Sequence, residues 1–232
     1  GVESDADADA YVERKALEVK GHPSVLAWYC NDEISLEKFP QLLSRQRVLE
    51  RVDPGHPTWT VLYQYPQVRE YYPTFDVVGG DPYPVPDGPI DTPVIWTRTM
   101  QEETMGLKPL WQVPQAFSWA DYGRKGERMP TRAEMRNMSW QMVAEGAMGL
   151  VYYHYRLLWP WSNEQKRVIF HRDRWEDICA AAEGVKRFAD VILSVEPAPA
   201  LKWTAKKICA RSWRHEGRTY ALVVNATRAA ID

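Results

Sequence analysis

The sequence predicts an α/β fold in which parallel strands alternate with helices. Three observations predict it. Runs of strand length recur at Val25–Tyr29, Thr58–Tyr63, Asp76–Asp81, Leu110–Phe117 and Gly149–Tyr155. Most are separated by helical patterns, at a spacing of roughly 35 residues, as parallel strands with helical crossovers require. The first run stops abruptly at two adjacent carboxylates, Asp32 and Glu33. A strand interior buries Val, Leu and Ala but cannot bury those charges without compensation. Folds of this class place their chemistry at the carboxyl ends of strands.

The elements follow in order. Residues Asp9 to Lys20 space Tyr11, Val12, Ala16, Leu17 and Val19 along one helical face. Gly21-His22-Pro23 stops that helix. After the first strand, Ser35 to Val52 reads as a helix interrupted at Pro40 and ended by Asp53-Pro54-Gly55. Thr58 to Tyr63 is β-branched and aromatic, a second strand. Val68 to Tyr72 supplies one helical turn, Asp76 to Asp81 a third strand with a glycine-rich exit, and Thr92 to Met105 a helix. Leu110 to Phe117 is the fourth strand. Thr131 and Glu134 then form a capping box that opens a helix running to about Glu145. Gly149 to Tyr155 is the fifth strand, and Trp175 to Leu193 a helix with apolar spacing at Ile178, Ala182, Val185 and Ala189. Pro197-Ala198-Pro199 reads as a linker. Beyond it, Ile208–Trp213 and Tyr220–Asn225 flank His215-Glu216-Gly217, a hairpin signal. The five alternating strands are either the last five-eighths of an eight-stranded barrel or a small open sheet.

Composition narrows the function. Hydrophobic content of 45% and charged content of 26% are ordinary for a globular protein. A net charge of -2 leaves no electrostatic footprint for nucleic acid or an acidic membrane surface. Neither partner is expected. No apolar run approaches the roughly 20 residues that cross a bilayer. Eleven Trp and twelve Tyr stand against five Phe. Rings with a polar handle suit half-wet surfaces that meet hydroxylated ligands. Cys30, Cys179 and Cys209 have neither disulfide nor metal spacing, and the five histidines are scattered. No metal or other cofactor is expected: there is no GxGxxG, GxSxG or P-loop. The chain begins at Gly1 in a helix approach and ends at Ile231-Asp232 just after a strand, so both ends read as cuts in a longer protein. A secreted or periplasmic location is expected, the signal peptide lying outside these residues.

Several segments resemble one superfamily, the retaining (β/α)8-barrel glycoside hydrolases. Ala27-Trp28-Tyr29 with Asp32-Glu33 resembles their fourth-strand signature, in which a Glu preceded by Asn or Asp is the acid/base. Gly80-Asp81-Pro82-Tyr83-Pro84 resembles the sixth-strand exit, and Pro109 to Phe117 the seventh strand. Pro130 to Glu134 with Glu145 to Tyr153 resembles the seventh helix and eighth strand. The resemblance covers about residues 9–193 and implies the C-terminal part of a TIM (β/α)8 barrel, about strands 4–8. On that reading residues 1–194 are a partial catalytic barrel and residues 200–232 begin a C-terminal β-sandwich domain. A five-stranded piece leaves sheet edges unpaired. The missing N-terminal strands are expected from the rest of the protein or from another chain.

Glycoside hydrolysis needs a proton donor and a second group at the oxocarbenium-like centre. Glu33 is the expected donor, an apolar surround from Trp28 or Tyr29 raising its pKa. Asp32 accepts a sugar hydroxyl or orients the site; the alternative is an N-cap of the next helix. The resemblance implies a Glu at the end of strand seven, and this chain has Gln115 there. Three repairs are open: Asp81 as second carboxylate, Asp121 or Glu127 from the following loop, or assistance from the substrate with Asp32 and Glu33 paired. Asp81 ranks first because a strand end positions a side chain better than a loop; its alternative is an Asp-Pro turn. Gln115 suits a sugar hydrogen bond. Trp119 and Tyr122 are candidates for a stacking platform, joined by Trp28, Tyr83, Tyr153, His154 and Tyr155 as substrate contacts, with Trp159 and Trp161 extending the wall. The leading function is a glycosidase on a poly- or oligosaccharide. The alternative is a non-catalytic glycan-binding or scaffold barrel without the strand-seven nucleophile.

Overall fold

The computed structural model describes residues 5–162, 165–205 and 207–230. Gly1 and Ile231-Asp232, read above as cut ends, lie outside them, as does the side chain of Trp161. The fold is mixed α/β with short parallel sheets, and the chain divides into two compact units. One holds the residues up to Gly80 together with Thr99–Leu110, the other Asp81–Arg98 with the chain from Trp111 onward.

In the first unit, helix α1 spans Asp5–Val19, starting earlier than its apolar spacing predicts. Asp5 and Asp7 sit in its first turn, where carboxylates favour the positive helix end. Strand β1 is Trp28–Asp32, three residues beyond the expected start. Pairing begins where Trp28 N–H meets the Pro57 carbonyl at 2.9 Å. Val25 to Ala27 therefore precede the sheet, and Leu26 is 71% exposed rather than in a buried strand. Helix α2 is Phe39–Val52, led in by a 3-10 turn at Leu36–Lys38. Pro40 lies in the first turn of α2, where its missing N–H costs nothing, so it opens the helix instead of breaking it.

Strands β2 (Thr58–Val61) and β3 (Val77–Gly79) complete a parallel sheet in the order β1-β2-β3. The link between them is a ten-residue 3-10 helix, Tyr65–Thr74, where the sequence predicts a single turn. Trp28 and Tyr29 pair with Thr58 and Trp59, the register slips at Cys30, and Asn31 and Asp32 pair with Thr60 and Val61. Leu110 is bridged in parallel to Val78. Leu42, Leu62, Tyr71, Phe75 and Met100 pack the core beneath them. Each contributes on the order of 2 kcal/mol by burial. The Tyr71 hydroxyl donates to the Ile34 carbonyl at 3.1 Å, which satisfies its polar end.

In the second unit, helix α3 (Thr92–Glu103) contributes its first turns, and β4 (Trp111–Gln112) pairs in parallel with β5 (Gly149–Leu150). A further parallel bridge joins Gln115 and Tyr153. Both strands are shorter than their apolar runs suggest, because only those residues reach a neighbour's backbone. Helix α4 (Arg132–Ala144) carries the expected capping box. Two-residue strands β6 (Trp161–Ser162) and β7 (Arg167–Val168) form a small hairpin the sequence does not signal. The single helix expected at 175–193 is α5 (Arg172–Lys186) followed by a short α6 (Ala189–Ile192).

Strands β8 (Ile208–His215) and β9 (Arg218–Asn225) form the expected hairpin. Its turn residues Glu216 and Gly217 have φ of 49° and 73°, the paired positive values of a tight two-residue turn. Cys209 and Val224 of the hairpin pack with Ala144, and Trp213 packs with Val143.

Candidate active site

Two groups of side chains lie past the carboxyl ends of parallel strands, one in each unit. In the first unit the chain leaves β1 through Asp32 and Glu33. The Glu33 N–H donates to the Val61 carbonyl at 3.0 Å, carrying the ladder one residue beyond the strand. Its φ is +53°, a left-handed conformation that disfavours any residue with a Cβ by roughly 1 kcal/mol or more. The other non-glycine residues with positive φ among the described residues, Met105, Lys166, Lys207 and Glu216, sit in turns. Both Asp32 and Glu33 are exposed, and neither carboxylate makes a hydrogen bond or ion pair among the described residues. The 3-10 turn that follows is capped at Ser35, so Asp32 is not its N-cap.

Trp28 has a different setting. Its indole N–H donates to Asp53 Oδ2 at 2.9 Å, and its ring packs with Ala16, Leu49 and Val52 of α1 and α2. His56 Nδ1 reaches the same oxygen at 2.8 Å. Burial pushes the Asp53 carboxyl up, but the hydrogen bonds from His56 and Trp28 outweigh it and hold its pKa below the usual value. Trp28 is thus an anchor between strand and helices. Tyr29 lies against its register partner Trp59, ring centroids 4.8 Å apart and ring planes tilted by 34°.

In the second unit Asp81 follows the end of β3 by two residues and is buried. Tyr83, two residues further, joins an aromatic cluster. Its ring lies 4.9 Å from Phe117 edge-on and 6.0 Å from Tyr153 in a stacked pose. Trp119 meets Phe117 at 4.9 Å, and the Tyr122 hydroxyl donates to the Tyr153 hydroxyl at 3.2 Å. Phe117 is the centre of the group. The sequence reading leaves it as a strand residue, because its apolar run gives no sign that it collects four other rings.

Gln115 is fully buried. Its Nε2 donates to the carbonyls of Val85 and Phe117 at 2.9 and 3.2 Å, and its Oε1 accepts from Val85 N–H at 2.8 Å. Its amide thus secures the loop after β3, with these three bonds all to backbone. Asp121 is similarly engaged: its carboxylate accepts from Ser118 N–H in a capping box and from Arg174 at 3.0 Å. Glu127 is half-buried, and its Oε2 has no hydrogen-bond partner among the described residues.

His154 caps the 3-10 turn Tyr155–Leu158, its Nδ1 accepting from Arg156 N–H at 3.2 Å. Burial first, and then the Arg156 charge, hold its pKa below the usual histidine value against the pull of Asp121. Its ring lies 4.1 Å from the ring of Tyr153. Tyr155 belongs to another group, with Trp159 at 6.4 Å and Trp175 at 6.0 Å. The predicted contacts Tyr83, Trp119 and Tyr153 therefore converge, with His154 at the edge, while Tyr155 sits in a separate ring group and Trp28 belongs to the first unit. Among the described residues no three His, Cys, Asp or Glu side chains are placed to hold a metal ion.

The cluster brings aromatic rings and phenolic hydroxyls together at one place. The β1 end offers side-chain carboxyl groups without a partner among the described residues. No family model matches the chain, and no curated relative matches it. Among solved structures the chain is similar to the beta-galactosidase from the psychrophilic Marinomonas ef1, with a TM-score of 0.56 at 13% sequence identity. The match covers 81% of this chain and 43% of that one, so the chain spans less than half the length of that protein, and at this identity the likeness is one of fold.

Proposed function

We propose that this chain is part of a glycoside hydrolase, its parallel strands being about strands four to eight of a (β/α)8 barrel, with Glu33 as proton donor. The observation that carries the reading is the state of Glu33: an uncommitted carboxyl, held in a left-handed backbone at the carboxyl end of a parallel strand. Non-glycine residues in that conformation gather at functional sites. The fold likeness to a beta-galactosidase supports the same class.

In this reading Glu33 gives its proton to the glycosidic oxygen as the bond to the anomeric carbon breaks. Asp32 orients the hydroxyl groups nearby. Asp81 is the second carboxylate, attacking the anomeric carbon or activating a water. Tyr83, Trp119 and Tyr153 form the stacking platform. The remaining barrel strands come from the rest of the protein or from another chain, and residues 200–232 begin a β-sandwich.

A second reading, a glycan-binding barrel without hydrolysis, is favoured by Gln115, which stands where a retaining enzyme needs a nucleophile and is spent on backbone bonds. Hydrolysis of a glycan and aryl-glycoside panel by the full-length protein, with Glu33→Gln beside it, separates the two. Cleavage that disappears in the variant supports the hydrolase. Sugar binding without cleavage in either protein supports the second reading.

A further inference from the structure

Arginines of the second unit differ in their partners. Arg128, Arg132 and Arg174 each reach a carboxylate, on Glu134, Asp177 and Asp121, at 2.7, 2.6 and 3.0 Å. Arg124 reaches none among the described residues. Its guanidinium lies over the Trp119 ring instead, 4.1 Å from the centroid. The backbone puts it there. Gly123, at φ 87°, closes the short helix Trp119–Tyr122 in a left-handed turn, and Arg124 N–H returns to the Trp119 carbonyl at 3.1 Å. A guanidinium held on an indole keeps its charge, is weakly hydrated, and still presents N–H groups outward.

Arg156 has no carboxylate partner among the described residues, and its charge is felt by His154, whose ring adjoins Tyr153. Asp121, whose charge also acts on His154, is already occupied by Ser118 N–H and Arg174. A site for neutral sugars needs carboxylates and amides that accept hydroxyl protons. Arg124 instead sets an unneutralised donor beside a ring of the platform.

We propose that the aromatic cluster takes an anionic saccharide, a sugar whose carboxylate or sulfate pairs with Arg124 while its ring packs on the aromatic platform. The inference rests on the reading of this cluster as a sugar platform. A planar guanidinium meets either anion with two parallel N–H···O bonds. Arg124 would then be a specificity-determining residue, and the preference would weaken with salt because the pair is exposed.

The test uses the full-length protein on an array of neutral oligosaccharides and their uronate and sulfated counterparts, followed by calorimetry at low and high salt. Anionic ligands should bind at least about tenfold tighter than neutral ones, the return of one charge-assisted contact. The gap should narrow at high salt and collapse in Arg124→Gln, with Arg124→Lys between the two. Preference for uronates assigns a carboxylate, preference for sulfated sugars a sulfate, and both support the inference. Equal or tighter binding of neutral sugars overturns it and leaves the carbohydrate reading standing. So does an unchanged anionic preference in Arg124→Gln that melts like the wild type. If Arg124→Gln does not fold, the wild-type preference and the Arg124→Lys variant decide. No binding to any glycan overturns both.

Discussion

At the scale of single residues, Glu134 shows how much a local sequence signal can accomplish. Arg128 holds its carboxylate through two bonds, at 2.7 and 2.8 Å, and Thr131 N–H adds a third at 2.9 Å. The Arg128 hydrogen bond outweighs the opposing effect of burial, and with Thr131 it lowers the Glu134 pKa from 4.5 to about 2. A folded pKa below the unfolded one means stability that is complete above the unfolded value and lost as pH falls toward the folded one. Glu134→Gln should therefore destabilise the protein by about 1–2 kcal/mol at pH 7, after allowance for solvent screening. Urea denaturation should show the gap to wild type closing between pH 4.5 and about 2. Gln115 carries a different prediction. A carboxylate in its place would set negative oxygen against the carbonyls of Val85 and Phe117. Gln115→Glu should lower stability by about 2–4 kcal/mol and gain no glycosidase activity. A thermal melt and the aryl-glycoside panel check both halves.

At the scale of elements, the short strands depend on close approach. Gly149 of β5 is the register partner of Trp111 in β4. A Cβ on Gly149 would meet the Trp111 ring at 2.6 and 2.8 Å, so the indole must move or the strands must part. Gly149→Ala should cost about 1–3 kcal/mol. Gly21, whose added Cβ would meet nothing within 4 Å, is the control, and Gly21→Ala should leave the melting temperature within experimental scatter. The capping box of α4 and the Glu216-Gly217 turn are legible in the sequence because their partners are at most three residues apart. The bounds of β1, β4 and β5 are not, since a strand ends where its neighbour's backbone ends.

At the scale of the whole molecule, each compact unit has its own large hydrophobic cluster, one around Tyr71 and Phe75 and one around Met135 and Met138. The donor role proposed for Glu33 has a kinetic signature. A leaving group that is already a weak base needs little protonation. Glu33→Gln should slow cleavage of alkyl glycosides on the order of a hundred- to ten-thousand-fold, and nitrophenyl glycosides much less. A comparison of kcat/KM across leaving groups of graded acidity checks it. Equal losses for all substrates would make Glu33 a structural residue.

By itself the sequence determined the alternation of strands and helices, the helix cap at Thr131, the final hairpin and the placing of Asp32 and Glu33 at the carboxyl end of a strand. These rest on periodicity and on neighbours a few residues apart. Tertiary structure alone decided that Trp28 turns to Asp53, that Gln115 holds the loop at Val85, that Phe117 gathers the cluster, and that Tyr155 joins Trp159 and Trp175 instead. Several of those partners lie 20 to 30 positions away in the chain. A side chain's role is set by the donor, acceptor or ring that the fold brings to it, and local pattern carries no record of that.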